Sequence, residues 1–257
     1  MPPRLARITI YPIKSLDGVD LASAQLTAGA GLAHDRQFAI RDAAGEFVNG
    51  KRTPAVHPLA AEFDRAIETV TLGRRGNEAR TTFHLTRDRA ALENWLSDFF
   101  TLPVTLDEDG SAGFPDDLDA PGPTLISTAT LETVASWFPG MTVDDARRRF
   151  RTNLEIDGVE AFWEDRLYAT AGNPVRFSVG QAAIAGTNPC QRCIVPTRSP
   201  ADGDVWRGFQ KMFAQRREAT LPDWAEPSRF NHYYRLAVNT RVIEAPSPIC
   251  VGDAIIL

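Results

Sequence analysis

The strongest constraint on what this chain can fold into is the spacing of its short alternating runs. From Arg4 to Lys14, Ile8 and Ile10 face one way and Arg7, Thr9 and Tyr11 the other, which is the period of a half-buried strand. That run ends in Tyr11-Pro12-Ile13-Lys14-Ser15 and turns at Asp17-Gly18. Further strands are expected at 20–27, 35–41 and 46–49, the last two joined by a turn at Ala43-Ala44-Gly45. Others follow at Ala60–Asp64, Thr69–Leu72, Thr81–Leu85 and Val104–Leu106. Residues 175–179 and 182–186 read as a hairpin, and Tyr233–Ile243 and Ala254–Leu257 close the pattern. Many short strands with few helices argue for barrels or sandwiches rather than a doubly wound sheet. The expected fold class is mainly β with a few helices (α+β).

Three helical patterns interrupt the strands, along with one short helix. In Asp88–Phe100, Leu92, Trp95, Leu96 and Phe99 fall on one face, with Asp88 or Thr86 available as a cap. Ser127 is placed to cap a helix running to about Phe138, whose apolar face is Leu131, Val134 and Phe138. Thr142-Val143-Asp144-Asp145 reads as a capping box for a short helix to about Phe150. A further amphipathic helix, about Asp204–Arg217, would turn Val205, Phe209, Met212 and Phe213 inward. Residues 107–123 differ from all of these: they are acidic and hold Gly110, Gly113, Pro115, Pro121, Gly122 and Pro123. That composition marks the best boundary in the chain and divides it into 1–118 and 119–257.

Composition excludes several classes of function. With 257 residues, 43% of them hydrophobic and 24% charged, the chain has the material for a sizeable soluble core. A net charge of -5 argues against nucleic acid as the main partner, because a phosphate backbone needs a net basic face. No apolar run approaches the ~18–20 residues that span a bilayer. The start, Met1-Pro2-Pro3-Arg4-Leu5-Ala6-Arg7, has no signal-peptide core, so no membrane association is expected. Three cysteines are an odd number and too few for a disulfide framework, which points to a reducing, cytoplasmic compartment.

Two of those cysteines lie three apart in Asn188-Pro189-Cys190-Gln191-Arg192-Cys193-Ile194-Val195-Pro196-Thr197. A guanidinium beside a thiol favours the thiolate, the form that binds metal or attacks an electrophile. A structural zinc site needs four ligands, but His34, His57, His84 and His232 are scattered and Cys250 stands alone. A thioredoxin-like pair would open a helix, whereas Ile194-Val195-Pro196 comes next here. Two incidental buried cysteines remain an alternative, as does a single soft thiolate on a metal whose other ligands come from a cofactor.

A second group is basic and polar and falls at strand ends and helix starts: Lys14-Ser15, Asp35-Arg36, Ser127-Thr128, and Arg151 with Asn153. Brought together, lysine as a point charge, arginines as forks and a helix N-terminus would cradle a phosphate. Taken singly, each is a solvated surface group, and Arg147-Arg148-Arg149 reads as a solvated helix face. Phe162-Trp163-Glu164-Asp165 reads as structural, and Arg229-Phe230-Asn231-His232-Tyr233-Tyr234-Arg235 as an edge strand.

These motifs, in this order, resemble MOSC-domain proteins that carry an N-terminal MOSC β-barrel domain, the group of amidoxime-reducing components and YcbX-like proteins. The matching residues are Tyr11-Pro12-Ile13-Lys14-Ser15, Asp35-Arg36-Gln37-Phe38, Leu125-Ile126-Ser127, Arg149-Phe150-Arg151-Thr152-Asn153, Glu164-Asp165, Cys190-Gln191-Arg192-Cys193-Ile194 and Val251-Gly252-Asp253. The resemblance implies an N-terminal β-barrel-like domain followed by a MOSC β-barrel. It implies a molybdenum cofactor, a pyranopterin with a terminal phosphate and no nucleotide, in a protein independent of pyridoxal phosphate. It makes Cys193 the metal ligand and catalytic centre, and assigns Lys14, Ser15, Arg36, Ser127, Arg151, Asn153 and, more loosely, Tyr233 to cofactor binding. The implied reaction is reduction of small N-hydroxylated compounds (amidoximes, hydroxylamines, N-hydroxylated bases) by oxygen-atom removal at the metal. No cysteine cluster lies beyond the motif, so electrons are expected from a separate ferredoxin- or flavodoxin-type protein. A cofactor carrier or sulfur-transfer protein is the implied alternative. Two departures from the family pattern bear on the substrate mouth. Glu164-Asp165-Arg166-Leu167-Tyr168 lacks the usual tryptophan, and Pro196-Thr197-Arg198-Ser199 replaces a threonine pair and an acidic residue.

Overall fold

Ile8 and Ile10 are fully buried, as the alternation of the first run requires. Leu5 is buried on the same face although it lies three residues before Ile8, because the pairing register shifts between Leu5 and Arg7. Such a bulge adds a residue to one strand and re-aims the side chains beyond it. The computed structural model describes residues 3–27, 31–245 and 247–257, so Met1 and Pro2 of the N-terminal reading lie outside the described residues.

Strands β1 (Arg4–Ile10), β2 (Val19–Leu21), β3 (Ser23–Leu26) and β4 (Phe38–Asp42) come first. The expected strand at 46–49 is reduced to one bridge, Arg41 to Phe47, because the turn after β4 is followed at once by an Asn49 side-chain turn. Then come β5 (Leu59–Phe63), β6 (Thr69–Arg74), β7 (Thr81–His84), α1 (Arg89–Phe100) and β8 (Val104–Glu108). Asp88 stands at the N-cap of α1, but its carboxylate accepts from the His84 N–H instead of capping the helix. β9 (Leu125–Ser127), α2 (Thr128–Ser136), α3 (Val143–Phe150) and β10 (Leu154–Asp157) come next, and the Thr142–Asp145 capping box is present in both directions.

The remaining elements are β11 (Val175–Val179), β12 (Ala182–Gln191), α4 (Phe209–Ala219), β13 (Arg235–Val242), β14 (Ser247–Cys250) and β15 (Ile255–Ile256). β12 runs past the expected end at 186, with register shifts at Gly186–Asn188 and Pro189–Gln191. Bulges are where a strand can hold a proline. Gly186 is required there, since a Cβ would lie 1.8 Å from the Leu167 carbonyl oxygen. α4 begins at Phe209 and not at Asp204: Gly208 is left-handed (φ 79°), and Val205, expected inward, is 55% exposed. The 229–235 segment is not an edge strand. A short 3-10 turn covers Pro227–Arg229, and β13 starts at Arg235, between β12 and β9.

One sheet of eight strands, in the order β15-β11-β12-β13-β9-β10-β1-β2, organises the molecule. β9 and β10 pair in parallel, and the other neighbours are antiparallel. β1 therefore pairs directly with β10, and β3 pairs with β14, so both halves of the chain contribute to the same ladders. The mainly β, α+β class is as expected, but no ladder among the described residues closes into a barrel. β1 gives the second half of its outer edge to β2, leaving its first residues to approach β15 through one bridge, Arg4 to Ala254, and the backbone hydrogen bonds around it.

A continuous core runs through both halves and includes Leu5, Ile40, Leu96, Leu154, Ile184, Val238 and Ile249. A second cluster lies under α2, α3 and α4, where Phe138 and Phe209 stack with centroids 4.3 Å apart. Offset stacking of this kind adds about 0.5–1.5 kcal/mol beyond area burial. That cluster holds the C-terminal end of α3, and with it Arg151, in place against the sheet.

Candidate functional site

The β1–β2 corner, the end of α3, the 115–122 segment and the turn after β12 surround a cavity of about 1560 Å³. Its lining carries twelve Lys and Arg residues against seven Asp and Glu, in a chain whose net charge is -5. Such a reversal of sign within one concave surface concentrates anions.

Five of the residues expected to bind a cofactor line this cavity: Lys14, Ser15, Arg36, Arg151 and Asn153. Three of them have left-handed backbone without being glycine: Ser15 (φ 75°), Arg36 (φ 52°) and Arg151 (φ 50°). Conformations of this kind persist only where the surroundings fix them, and they gather at ligand sites. Here the fixing bonds are visible. Arg36 N–H donates to the Tyr11 carbonyl at 2.8 Å, and Arg151 N–H, at the C-cap of α3, donates to the Arg147 carbonyl at 2.8 Å.

The side chains divide by what they hold. Lys14 is buried, and its Nζ donates to the Phe114 carbonyl at 2.8 Å and to Asp116 Oδ1 at 2.9 Å. Burial pushes its ammonium below the usual lysine value, and Asp116 opposes that shift. Arg36 lies 3.9 Å from both Asp35 and Asp116. Burial lowers its pKa, but Asp35 and Asp116 outweigh that effect. The Arg151 guanidinium sits 4.1 Å from the centre of the Tyr11 ring and donates to the Leu16 carbonyl at 2.6 Å. Burial lowers its pKa and raises that of the Tyr11 phenol to about 12. Asn153 is a tie rather than a free donor: its amide nitrogen donates to the Thr9 carbonyl and its oxygen accepts from Thr124, each at 3.1 Å.

Cys190 and Cys193 line the same cavity, both partly exposed and both free thiols. Cys190 lies at the end of β12, and Cys193 in the turn beyond it. Three arginines pin this region, two through its own carbonyls and Arg192 through that of Phe150. Arg149 donates to Pro196 (2.9 Å) and Arg198 (2.6 Å), and Arg235 donates to Pro189 (3.0 Å). Arg192 donates to the Phe150 carbonyl and, at 3.1 Å, to Cys190 Sγ. Arg149 is therefore not part of a solvated helix face. It is buried, and Arg147 is paired with Glu155 and Asp144.

Ser127 and Tyr233 stand apart from the cavity. Ser127 is fully buried; it accepts from Thr130 N–H at 3.1 Å as the cap of α2 and donates to Thr130 Oγ1. Tyr233 stacks on Phe230 with centroids 5.7 Å apart. A Ser127→Ala variant is accordingly expected to lose the cap, worth about 1 kcal/mol, and to melt about 2–4 °C lower. Thermal melts of the two proteins check this, and an unchanged melting temperature would mean that the cap carries no stability.

Sequence reasoning missed Asp116 and Tyr11 as parts of the site; Arg192 was singled out beside the thiols, but its bond to the Phe150 carbonyl was not foreseen. Asp116 carried a local signal, the acidic run 116–119, but that run reads equally well as a boundary. Below the site, Glu164 and Asp165 are buried and structural, as expected. Asp165 pairs with buried Arg217, while burial, then Asp165, push the Glu164 carboxyl up to about 7. Among the described residues, no group of three or more His, Cys, Asp or Glu could hold a metal ion by itself. Among the same residues, no helix is long and apolar enough to cross a membrane.

Comparison with known proteins bears on the whole chain. Residues 2–103 match the model of the MOSC N-terminal beta barrel domain, and residues 124–256 that of the MOSC domain. A molybdenum cofactor sulfurase of Solanum lycopersicum is 23% identical over 303 residues, covering 98% of this chain and 35% of that protein. The chain thus spans about a third of that relative's length. Among solved structures, a hypothetical protein (13% identity, covering 98% of this chain and 68% of the other) and the YUAD protein of Bacillus subtilis (12% identity, covering 99% and 94%) each align with a TM-score of 0.40, a loose overlap. With both domain models matched in order around a cavity that holds the paired cysteines and the cationic residues, the chain belongs to the MOSC-domain family, in the form that carries the MOSC N-terminal beta barrel domain.

Proposed function

We propose that the cavity binds a molybdenum cofactor and that the protein reduces small N-hydroxylated compounds with electrons from a separate ferredoxin- or flavodoxin-type donor. The observation that carries this reading is the meeting of Cys190 and Cys193 with Lys14, Arg36 and Arg151 in one cavity. A soft thiolate suits a metal, and hard cationic donors suit a phosphate ester.

The residues fit such a group. Lys14 and Arg36 would hold its anionic end, and a carboxylate already lies between them in this structure. The cavity has room for a tricyclic headgroup, and Cys193 is the thiol proposed for the metal. When bound, the group would supply two-electron removal of an oxygen atom. The chain's own residues do the positioning. Arg151, fixed over Tyr11, keeps a half-buried positive charge in the cavity wall, and Asn153 ties the β1 and β9 ends that frame it. Arg149, Arg192 and Arg235 hold the cysteine turn through backbone carbonyls, which limits the movement of Cys193.

The test is metal analysis together with turnover. Protein purified from a cofactor-competent host is expected to contain molybdenum and to reduce benzamidoxime with reduced viologen. Molybdenum near zero would sink the proposal. The sulfurase likeness, with the Arg192 guanidinium 3.1 Å from Cys190 Sγ, favours a second reading as a cofactor carrier or sulfur-transfer protein. Molybdenum without turnover would select that reading.

A further inference from the structure

The 109–122 segment, whose composition reads as a boundary, crosses the cavity. Phe114 N–H donates to the Arg36 carbonyl at 2.9 Å, and the Phe114 carbonyl accepts from Lys14 Nζ at 2.8 Å. Two residues later the Asp116 carboxylate places Oδ1 2.9 Å from Lys14 Nζ and Oδ2 3.9 Å from Arg36 Nη1. One carboxylate therefore bridges the two cations best suited to an anionic ligand. The rest of the segment is held lightly. Asp117 accepts from Asn239 Nδ2 at 2.8 Å, Arg241 donates to the Asp119 carbonyl, and Leu118 is 83% exposed. The Asp116 side chain itself is 58% exposed.

We infer that Asp116 is a resident anion occupying the Lys14–Arg36 pair, and that a phosphate-bearing ligand enters by displacing it and releasing residues 115–120 from the cavity mouth. The carboxylate is the exposed partner of this pair, so water and other anions can reach it and exchange with it. A phosphate monoester brings about -1.5 to -2 charges and three acceptor oxygens against one charge and two oxygens. Two facing cations left bare inside a low-dielectric wall would repel one another, so a built-in carboxylate keeps the empty site folded. Loading the site and opening its mouth then belong to the same movement. The inference rests on reading the cavity as the site of a phosphate-ester cofactor.

The test is calorimetric titration of the full chain with inorganic phosphate, comparing wild type with Asp116→Asn and Asp119→Asn. The Asp119 side chain is outside the cavity lining, so the latter variant controls for the same change in net charge. Asp116→Asn is expected to bind phosphate about tenfold tighter than wild type, and Asp119→Asn no tighter. In wild type, phosphate should also speed hydrogen exchange at the amides of Asp119 and Ala120, which donate to Asp117 Oδ1. Equal affinity in all three proteins, an equal gain in Asp119→Asn, or no binding by any of them overturns the inference. Molybdenum content, measured separately, keeps the two readings distinct. A wild type that holds molybdenum but shows no Asp116 effect loses only the strap, and an Asp116 effect in protein that never holds molybdenum loses only the proposed function.

Discussion

In Cys193→Ser, the molybdenum content of the purified protein is expected to fall to about a tenth of wild type or lower. Changing even the groups that orient metal ligands costs about 10–100-fold in affinity, and a ligand should matter at least as much. Under the proposed function, turnover of benzamidoxime should vanish with the metal, since the proposed cofactor's chemistry would require it in place. The thermal melt should move little, because Cys193 is partly exposed and belongs to neither hydrophobic cluster. Cys190→Ser serves as the comparison. Its sulfur is engaged by Arg192, and the variant should retain most of the metal. Inductively coupled plasma analysis of both variants decides the matter. Full metal content in Cys193→Ser, or equal loss in both, removes Cys193 from its assigned place.

Arg217→Met is expected to destabilise the protein strongly. Arg217 is 1% exposed, pairs with Asp165, and lies with its guanidinium 4.3 Å from the Phe162 ring centre and 5.1 Å from that of Phe230. Burial pushes the Asp165 carboxyl up and Arg217 holds it down. Removing the guanidinium leaves a carboxylate in an apolar pocket with no counter-ion. The penalty for breaking such a pair is about 3–5 kcal/mol, which is roughly 10 °C in Tm for a chain of this size. Replacing both partners, as Arg217→Met with Asp165→Leu, should recover most of the loss, because two matched apolar groups leave no charge stranded. Calorimetric melts of the single and double variants give the answer, and a single variant within about 1 kcal/mol of wild type would mean that the pair is solvated.

What the sequence disclosed was local. The Ser127 cap and the Thr142–Asp145 box were legible because each is closed by residues three positions apart. The alternation of β1 was legible, but its bulge was not, since the register shift is set by β10, about 150 residues away. β14 left no trace for the same reason: among the described residues its strand partner is β3, from the other end of the chain. Arg149 looked solvated on a helical wheel because the carbonyls that bury it belong to Pro196 and Arg198. The site shows the same division. Lys14, Arg36, Arg151 and the cysteines could be nominated by residue type, but only the order of motifs suggested that they meet. Asp116 was missed because a Gly- and Pro-rich acidic stretch carries the same composition whether it swings freely or reaches back to Lys14 across 102 residues.

The clasp between the first strand and the last residues also bears on how the protein is made. Leu5 N–H donates to the Asp253 carbonyl and Gly252 N–H to the Leu5 carbonyl, while the other edge of β1 waits for β10. A ribosome adding about 5–20 residues each second would leave the apolar face of β1 uncovered for many seconds before its partners emerge. Contacts so distant in sequence form slowly. The growing chain is thus exposed to chaperones and proteases for a long time at Ile8 and Ile10, the strand that later frames the cavity, and the site is completed only once the residues up to Asn239 have followed.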